Sequence, residues 1–427
     1  MRHPTVRFPS RVLHHRLTLR RERKVRAQDG LPLLAVLGPG LLAGLSDDDP
    51  AGITTYAVLG SEQGYRMLWV LALATVALIV FHELGARMGL ATGKGLVAVI
   101  RERQGVRIAG FVAAVLVVAN TGTMCAELAG VALGAQMLGG IPPIASVPVA
   151  CVVLGALVLG ESFARIEHVL LALTAIFAAY VVSGLLAHPD WGATAKGLVV
   201  PTLPDDRRAL YLAVATIGTT LAPWGLAFIQ SYAADKRLPP SALRYERIDV
   251  ISGAVLTGVI GAFVVMASAA TLHGTRVDDA TDLAEGLRPL AGDLAPTIFA
   301  AGFLGAALLA AAVVPLSTAF SVSEAAGRRG HLDDTPREAP VFYGAFLAVT
   351  LVAAVIVVAP GSPLLTILVA SQALNAVLLL AVLPLLITAA SDRGAMATLA
   401  LGRAGRTTAW LLFALIAASV VALGVLA

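Results

Sequence analysis

Charge is scarce in this chain: of 427 residues only 14% are Asp, Glu, Lys or Arg, against about 25% in soluble globular domains. With 58% apolar residues and a mean hydropathy of +0.83, the composition excludes an ordinary water-soluble domain. Cysteine is scarce too. Cys125 and Cys151 lie in apolar stretches without CxxC spacing or clustered histidine, which excludes a disulfide framework and a thiolate metal site; they read as small buried hydrophobes. HExxH is missing, as is a second carboxylate motif to complete a catalytic dyad, so the chain is not expected to be an enzyme. A cleavable leader is not expected either, because the first apolar run comes late, after a long polar stretch, with no small-residue cleavage motif behind it.

What is present is one apolar run after another, each long enough for about 30 Å of hydrocarbon. They fall at roughly 33–59, 65–91, 107–138, 143–160, 165–187, 208–234, 248–273, 295–327, 337–359, 362–391 and 404–427, eleven spans in one all-α domain. Residues 1–30 form a basic tail: Arg2, Arg7, Arg11, Arg16, Arg20, Arg21, Arg23, Lys24 and Arg26 face Glu22 alone as far as residue 26. Directly before a span, such a tail reads as a cytoplasmic retention signal near anionic headgroups, not a nucleic-acid arm. Alternate loops should then be basic. Lys94, Arg101, Arg103 and Arg107, then Lys236, Arg237, Arg244 and Arg247, then Arg328, Arg329 and Arg337, then Arg393, Arg403 and Arg406 obey this. The loop at 274–294 is acidic, with Asp278, Asp279, Asp282, Glu285 and Asp293 against Arg276 and Arg288. The expected topology is N-terminus cytoplasmic and C-terminus extracytoplasmic.

Most spans are plain runs of Ala, Leu, Val and Gly, but two are interrupted. The first carries Gly38-Pro39-Gly40 and Ser46-Asp47-Asp48-Asp49-Pro50-Ala51-Gly52; the sixth carries Gly218-Thr219-Thr220-Leu221-Ala222-Pro223-Trp224-Gly225. Proline removes a backbone donor and clashes with the preceding turn, so Pro50 and Pro223 should break their helices and free carbonyls near Asp49 and Ala222. Non-helical backbone survives at membrane depth only inside protein or beside a wet cavity. The breaks lie five spans apart, in the first and sixth, which suggests two inverted five-helix repeats, approximately 33–187 and 208–391, with a site at the midplane.

One carboxylate at the bilayer centre costs about 2.5–3.5 kcal/mol, so Asp47-Asp48-Asp49 together cost on the order of 8–10 kcal/mol unless water or a cation offsets it. Helix capping accounts for one of the three at most. The run therefore points to a cation pathway, with Asp49 as direct ligand. Hard divalent cations take oxygen ligands, available here from Asp49, the freed carbonyls, the Gln372 amide, and Thr219 or Thr220. Asn375 shares a face with Gln372 and reads equally as a hydrogen-bonding partner. Glu83 and Arg87 are spaced for an ion pair. His82, His168 and His273 read as residues near span ends, and Glu127 as a pathway or network residue.

The motifs Gly38-Pro39-Gly40, Asp49-Pro50, His82-Glu83-Leu84-Gly85-Ala86-Arg87, Thr92-Gly93-Lys94-Gly95-Leu96, Pro223, Arg244-Tyr245 with Asp249, and Ser371-Gln372 with Asn375 together resemble the NRAMP (natural resistance-associated macrophage protein) divalent-metal transporters. The likeness runs from about residue 36 to 400. It implies a LeuT-type fold, metal binding between spans one and six, a bacterial plasma membrane, and a metal that is substrate, not cofactor. Typical members carry Asp-Pro-Gly-Asn in span one and Met-Pro-His in span six. Here a ligating asparagine has become Gly52, a thioether Ala222 and a histidine Trp224, while Met124 precedes Glu127 where proton-coupled members have an aspartate. Losing the thioether removes the chemical reason to exclude magnesium, and smaller residues should widen the site for a partly hydrated ion. The chain thus resembles the magnesium-transporting branch, with Mg2+ or Mn2+ as substrate and passive or weakly coupled transport. The alternatives are a proton-coupled Mn2+/Fe2+ importer and a LeuT-fold carrier of an organic solute; three adjacent aspartates would repel an anionic one.

Overall fold

The computed structural model of the chain describes residue 44 and residues 46–159, 179–202, 207–236, 240–275, 277, 280–328, 330–331 and 334–425. All lie in the compact unit Pro39–Ala427. The 1–30 tail, Gly38-Pro39-Gly40, His168, Arg237, Arg276, Asp278, Asp279, Arg329 and most of the expected fifth span lie outside the described residues.

Apolar side chains leave the backbone no partner in hydrocarbon except itself, and the described residues are accordingly helical, without a strand. In chain order the helices are α1 (Pro50–Gln63), α2 (Leu68–Thr92), α3 (Leu96–Gln104), α4 (Val106–Gly139), α5 (Pro143–Leu159), α6 (Ala179–Leu186), α7 (Trp191–Val199), α8 (Arg207–Thr220), α9 (Pro223–Asp235), α10 (Leu243–Thr271), α11 (Ala295–Ala325), α12 (Pro340–Val358), α13 (Leu364–Ser391) and α14 (Arg403–Val425), with short helical turns between some of them. Eight stretches among the described residues are long and apolar enough to cross a membrane. They coincide with expected spans two, three and six to eleven. Span four is the 17-residue α5, and spans one and five are described only in part.

The core is built around α4, which packs against α11 and α13, while α8 packs on α13. The half-helix after each break lies on the second span of the opposite half: α1 on α10, and α9 on α2. Helix α14 stands at the periphery, with Leu411 and Val421 exposed.

Loops that the charge pattern assigns to one side meet one another. Arg103 pairs with Asp392 at 3.3 Å, and the Gln230 side chain donates to the Lys94 carbonyl at 3.1 Å. At the other end Arg208 pairs with Glu62 at 2.8 Å, and the Gly274 amide donates to the Ser61 carbonyl. The expected pair of Glu83 with Arg87 forms at 2.6 Å and gains a third member, Arg247, 2.7 Å from the same oxygen.

The Thr92-Gly93-Lys94-Gly95 motif turns the chain between α2 and α3. Gly93 closes α2 at φ +62°, where a side chain would be strained. A Cβ on Gly95 would collide with the Glu324 carboxyl group. That carboxyl accepts from the amides of Val97 and Ala98 at 3.0 and 3.1 Å and from the Ser231 hydroxyl at 2.8 Å. One partly buried acid therefore ties the end of α11 to the first turn of α3 and to α9.

Candidate metal centre

Both proline motifs interrupt their helices. Ser46 and Asp47 are helical, Asp48 and Asp49 bend away, and α1 starts at Pro50, where the missing N–H costs nothing in a first turn. Asp49 is extended (φ −79°, ψ 173°) and caps α1, its Oδ1 accepting from the Gly52 amide at 2.6 Å. The capping aspartate is thus the same residue expected to bind the ion. A carboxylate has two oxygens, so the roles are compatible. In the second break α8 stops at Thr220 and α9 starts at Pro223, with Ala222 extended (φ −77°, ψ 139°) and no side chain capping the new helix.

The carbonyls of Asp49 and Ala222, expected to be freed, are each engaged: Asp49 O accepts from Ile53 N at 2.9 Å and Ala222 O from Gly225 N at 3.2 Å. The reason is that proline restarts the helix at once, so its first turn takes them back. A carbonyl keeps a second lone pair, which is what either could still offer. The Trp224 carbonyl is held by the Ser317 hydroxyl of α11 at 2.9 Å, and the Trp224 ring is fully buried against Phe228.

The two breaks meet at Gly52. A Cβ built there would lie 2.7 Å from the Asp47 carbonyl, 3.2 Å from Thr219 Oγ1 and 3.3 Å from Asp49 Oδ1. The expected widening at this position is therefore not found: the carbonyl of Asp47 fills the room that a side chain would take. Helix α4 completes the site. Its Glu127 carboxyl lies near that of Asp49 without a hydrogen-bond partner among the described residues, and one turn on, Gly130 lets the Pro50 ring lie against the α4 backbone. Tyr56 bridges the breaks, its hydroxyl 2.9 Å from that of Thr220.

Ser46, Asp47, Asp48 and Asp49 are all buried, as are Glu127 and Thr219. Among the described residues, both carboxyl oxygens of Asp47, Asp48 and Glu127 and the hydroxyls of Ser46, Thr54 and Thr219 find no hydrogen-bond partner. Native interiors leave few polar atoms in that condition, and a bound ion is one of the standard explanations. The described residues contain no cage of three His, Cys, Asp or Glu ligands, so an ion held here would depend on hydroxyls, carbonyls and water beside one or two carboxylates.

Gln372 and Asn375 are buried but bonded to one another, Asn375 Nδ2 donating to Gln372 Oε1 at 3.1 Å and to Thr123 of α4 at 3.1 Å. The Gln372 amide also donates to Ser371. The bonding role foreseen for Asn375 is therefore present, and it engages the oxygen Gln372 would offer an ion.

His82 departs most from its sequence reading. It is not at a span end but inside α2, 1% exposed, with Nε2 unpartnered. A Cβ on Gly225 of α9 would lie 3.1 Å from that nitrogen and 3.9 Å from Asp47 Oδ1. His273, by contrast, is exposed at the end of α10. The sequence signal for His82 was its position ten residues inside an apolar run, where a polar ring needs a reason.

The family described as natural resistance-associated macrophage protein-like matches residues 40–426. The chain is 32% identical over 294 residues to the divalent metal cation transporter MntH of Deinococcus radiodurans, covering 66% of this chain and 67% of that one. It is 32% identical over 298 residues to the protein of the same name from Ralstonia nicotianae, covering 65% of each. The matched stretch thus spans about two thirds of the length of these relatives. Among solved structures, the manganese transporter of Eremococcus coleocola in complex with an aromatic bis-isothiourea substituted compound superposes with a TM-score of 0.74 at 20% identity, over 91% of this chain and 85% of that one. MhsT in complex with L-phenylalanine gives 0.59 at 16% identity, over 90% and 98%. At these identities the likeness is one of fold, the LeuT-type helical fold.

Proposed function

The chain belongs to the natural resistance-associated macrophage protein-like family, and from that premise we propose that it carries divalent metal cations across the membrane by alternating access, Mg2+ and Mn2+ being its substrates. The observation that carries this reading is the set of buried oxygens without partners where the two helix breaks meet. Six such carboxyl oxygens, on Asp47, Asp48 and Glu127, are costly in a low-dielectric interior unless positive charge joins them.

In this reading the free oxygen of Asp49 binds the ion directly, with Thr219 beside it and carbonyls at Gly52 and Ala222 within the surrounding shell. Asp47, Asp48 and Glu127 supply the negative field, Thr220 and Trp224 wall the site, and Asn375 holds Gln372 for a ligand role in another state of the cycle. Magnesium gives up its water reluctantly and is usually held by one or two carboxylates, which suits a donor set without sulfur. Ala222 offers none of the thioether softness that selects transition metals, and Trp224 none of the titration of a histidine, which supports passive or weakly coupled transport. The reciprocal packing of α1 on α10 and α9 on α2 supports two inverted repeats that rock about the site. The charge pattern supports a cytoplasmic N-terminus.

The test is uptake into proteoliposomes of Mg2+, Mn2+, Ca2+ and Fe2+, with Asp49→Ala alongside. Mg2+ and Mn2+ should enter, and Asp49→Ala should fall to the level of protein-free liposomes. Iron uptake without magnesium flux rejects the hard-ion reading, undiminished uptake by Asp49→Ala rejects the site, and internal acidification that tracks metal entry rejects passive transport.

A further inference from the structure

The Asp47 carbonyl closes the Gly52 junction, while its carboxyl Oδ1 lies beside Gly225 at the start of α9. There it shares a point in space with His82: Nε2 of the imidazole and Oδ1 of the carboxyl both lie within 4 Å of the position a Gly225 Cβ would occupy. Both atoms are buried and neither has a hydrogen-bond partner among the described residues. They do not pair with each other. Three elements, the break before α1, the middle of α2 and the start of α9, thus direct a nitrogen and an oxygen at one gap that glycine keeps open.

An imidazole whose proton sits on Nδ1 presents the Nε2 lone pair, the usual way histidine binds a metal. Imidazole nitrogen with one carboxylate oxygen suits first-row divalent transition ions, and much less Mg2+. We infer that Asp47 and His82 form a second cation site, next to that of Asp49, which takes divalent transition ions such as Mn2+ through one imidazole nitrogen and one carboxylate oxygen, with water completing the shell. The inference rests on the cation pathway proposed above. It assigns that pathway two stops of different chemistry: an all-oxygen stop at Asp49, tolerant of Mg2+, and a mixed nitrogen and oxygen stop beside Gly225. Backbone joins them, since the Asp47 carbonyl packs at the Gly52 junction and its carboxylate belongs to the second stop.

The test is pulsed electron paramagnetic resonance of Mn2+ added to the tag-free full chain in lipid nanodiscs, where a coordinated imidazole imposes 14N modulation on the echo. The wild type should show that modulation, His82→Gln should lose it, and Asp49→Ala should keep it. Gly225→Ala places a methyl group in the gap and should weaken the nitrogen-ligated Mn2+ about tenfold, as shell changes at metal sites do. A monodisperse elution profile and an unchanged melting temperature establish that each variant is folded. Wild type without 14N modulation at saturating Mn2+, or modulation that survives in folded His82→Gln, overturns the site. Loss of modulation in Asp49→Ala overturns its separateness from the first stop. These readouts concern binding alone, so they stand apart from uptake: a protein that fails to transport Mg2+ but shows His82-dependent modulation refutes the proposed function and keeps this site.

Discussion

Two sets of acids inside the helix bundle are treated in opposite ways. Glu324, at the end of α11, accepts from two backbone amides and a hydroxyl. Asp47, Asp48 and Glu127, around the breaks, accept from no partner among the described residues. The first arrangement is complete in itself and holds three helices together. The second becomes favourable only when a cation arrives, because buried carboxyl groups left unpaired cost several kcal/mol of desolvation. An acid that holds the scaffold is told from one that serves the cargo by its hydrogen-bond inventory.

The sharpest way to break that contrast is Glu324→Ala. It strands two amides and a hydroxyl, each worth about 1–3 kcal/mol when left unsatisfied, although the amides of a first helical turn can recover part of that from water. A net loss of about 2–4 kcal/mol is expected, read as a lower melting temperature in nanodiscs. The additional stabilisation that Mg2+ confers should persist, at about 2.7 kcal/mol for an ion present at a hundred times its Kd. A Glu324→Ala protein with wild-type melting that no longer responds to Mg2+ would put Glu324 in the wrong group.

Gly52→Asn comes next. It supplies the side chain that the family resemblance leads one to expect in span one, and a reading from sequence alone would make it a gain of ligand. The structure says otherwise, since its Cβ would lie 2.7 Å from the Asp47 carbonyl. Overpacking of this kind costs about 1–3 kcal/mol, so melting should fall and Mg2+ uptake with it, with no gain of Fe2+ uptake. A well-folded Gly52→Asn that acquires iron transport would show that the junction yields more easily than its geometry indicates.

What could be read in advance follows a physical line. The two breaks were legible because Pro50 and Pro223 act through local backbone sterics, and the Glu83–Arg87 pair because helical spacing fixes it. The LeuT-type architecture was legible from the order of motifs along the chain. The fate of the space at Gly52 was not: a missing side chain looks like room until one knows where the backbone of Asp47 goes. Nor was His82, because α2 is apolar nearly all round and carries no stripe to say which face meets α9. Thr123, the partner that engages Asn375, lies 252 residues away, beyond any local pattern. Arg247 was read as a loop residue between spans six and seven, whereas it lies near the start of α10, and its reach to Glu83 belongs to tertiary structure.

Asp48→Asn tests the unpaired group from the other side. Taking charge from a buried carboxyl with no partner removes a cost that the metal-free protein bears, so the metal-free melting temperature should stay level or rise by the equivalent of about 1 kcal/mol. The stabilisation by Mg2+ should shrink at the same time, because part of the attracting field is gone. Removing a scaffold acid cannot give that pair of signs together. A fall in metal-free stability comparable with that of Glu324→Ala would mean that Asp48 has a bonding role and would dissolve the contrast.

The smallest effect belongs to Arg247→Gln, which calibrates the others. Glu83 is bonded by both Arg87 and Arg247, and Arg247 is the more exposed of the two arginines, 46% against 14%. Exposed ion pairs contribute about 0–1 kcal/mol, and here Arg87 stays within 2.6 Å after the change, so the acid is never stranded. The expected loss is under about 0.5 kcal/mol, diminishing further at high salt because screening acts on exposed charge. Mg2+ uptake should be unchanged, since the pair touches neither break. If Arg247→Gln instead cost as much as Glu324→Ala, Glu83 would join the scaffold acids whose full set of donors matters. The distinction would then rest on how many donors an acid requires, and no longer on whether it has any.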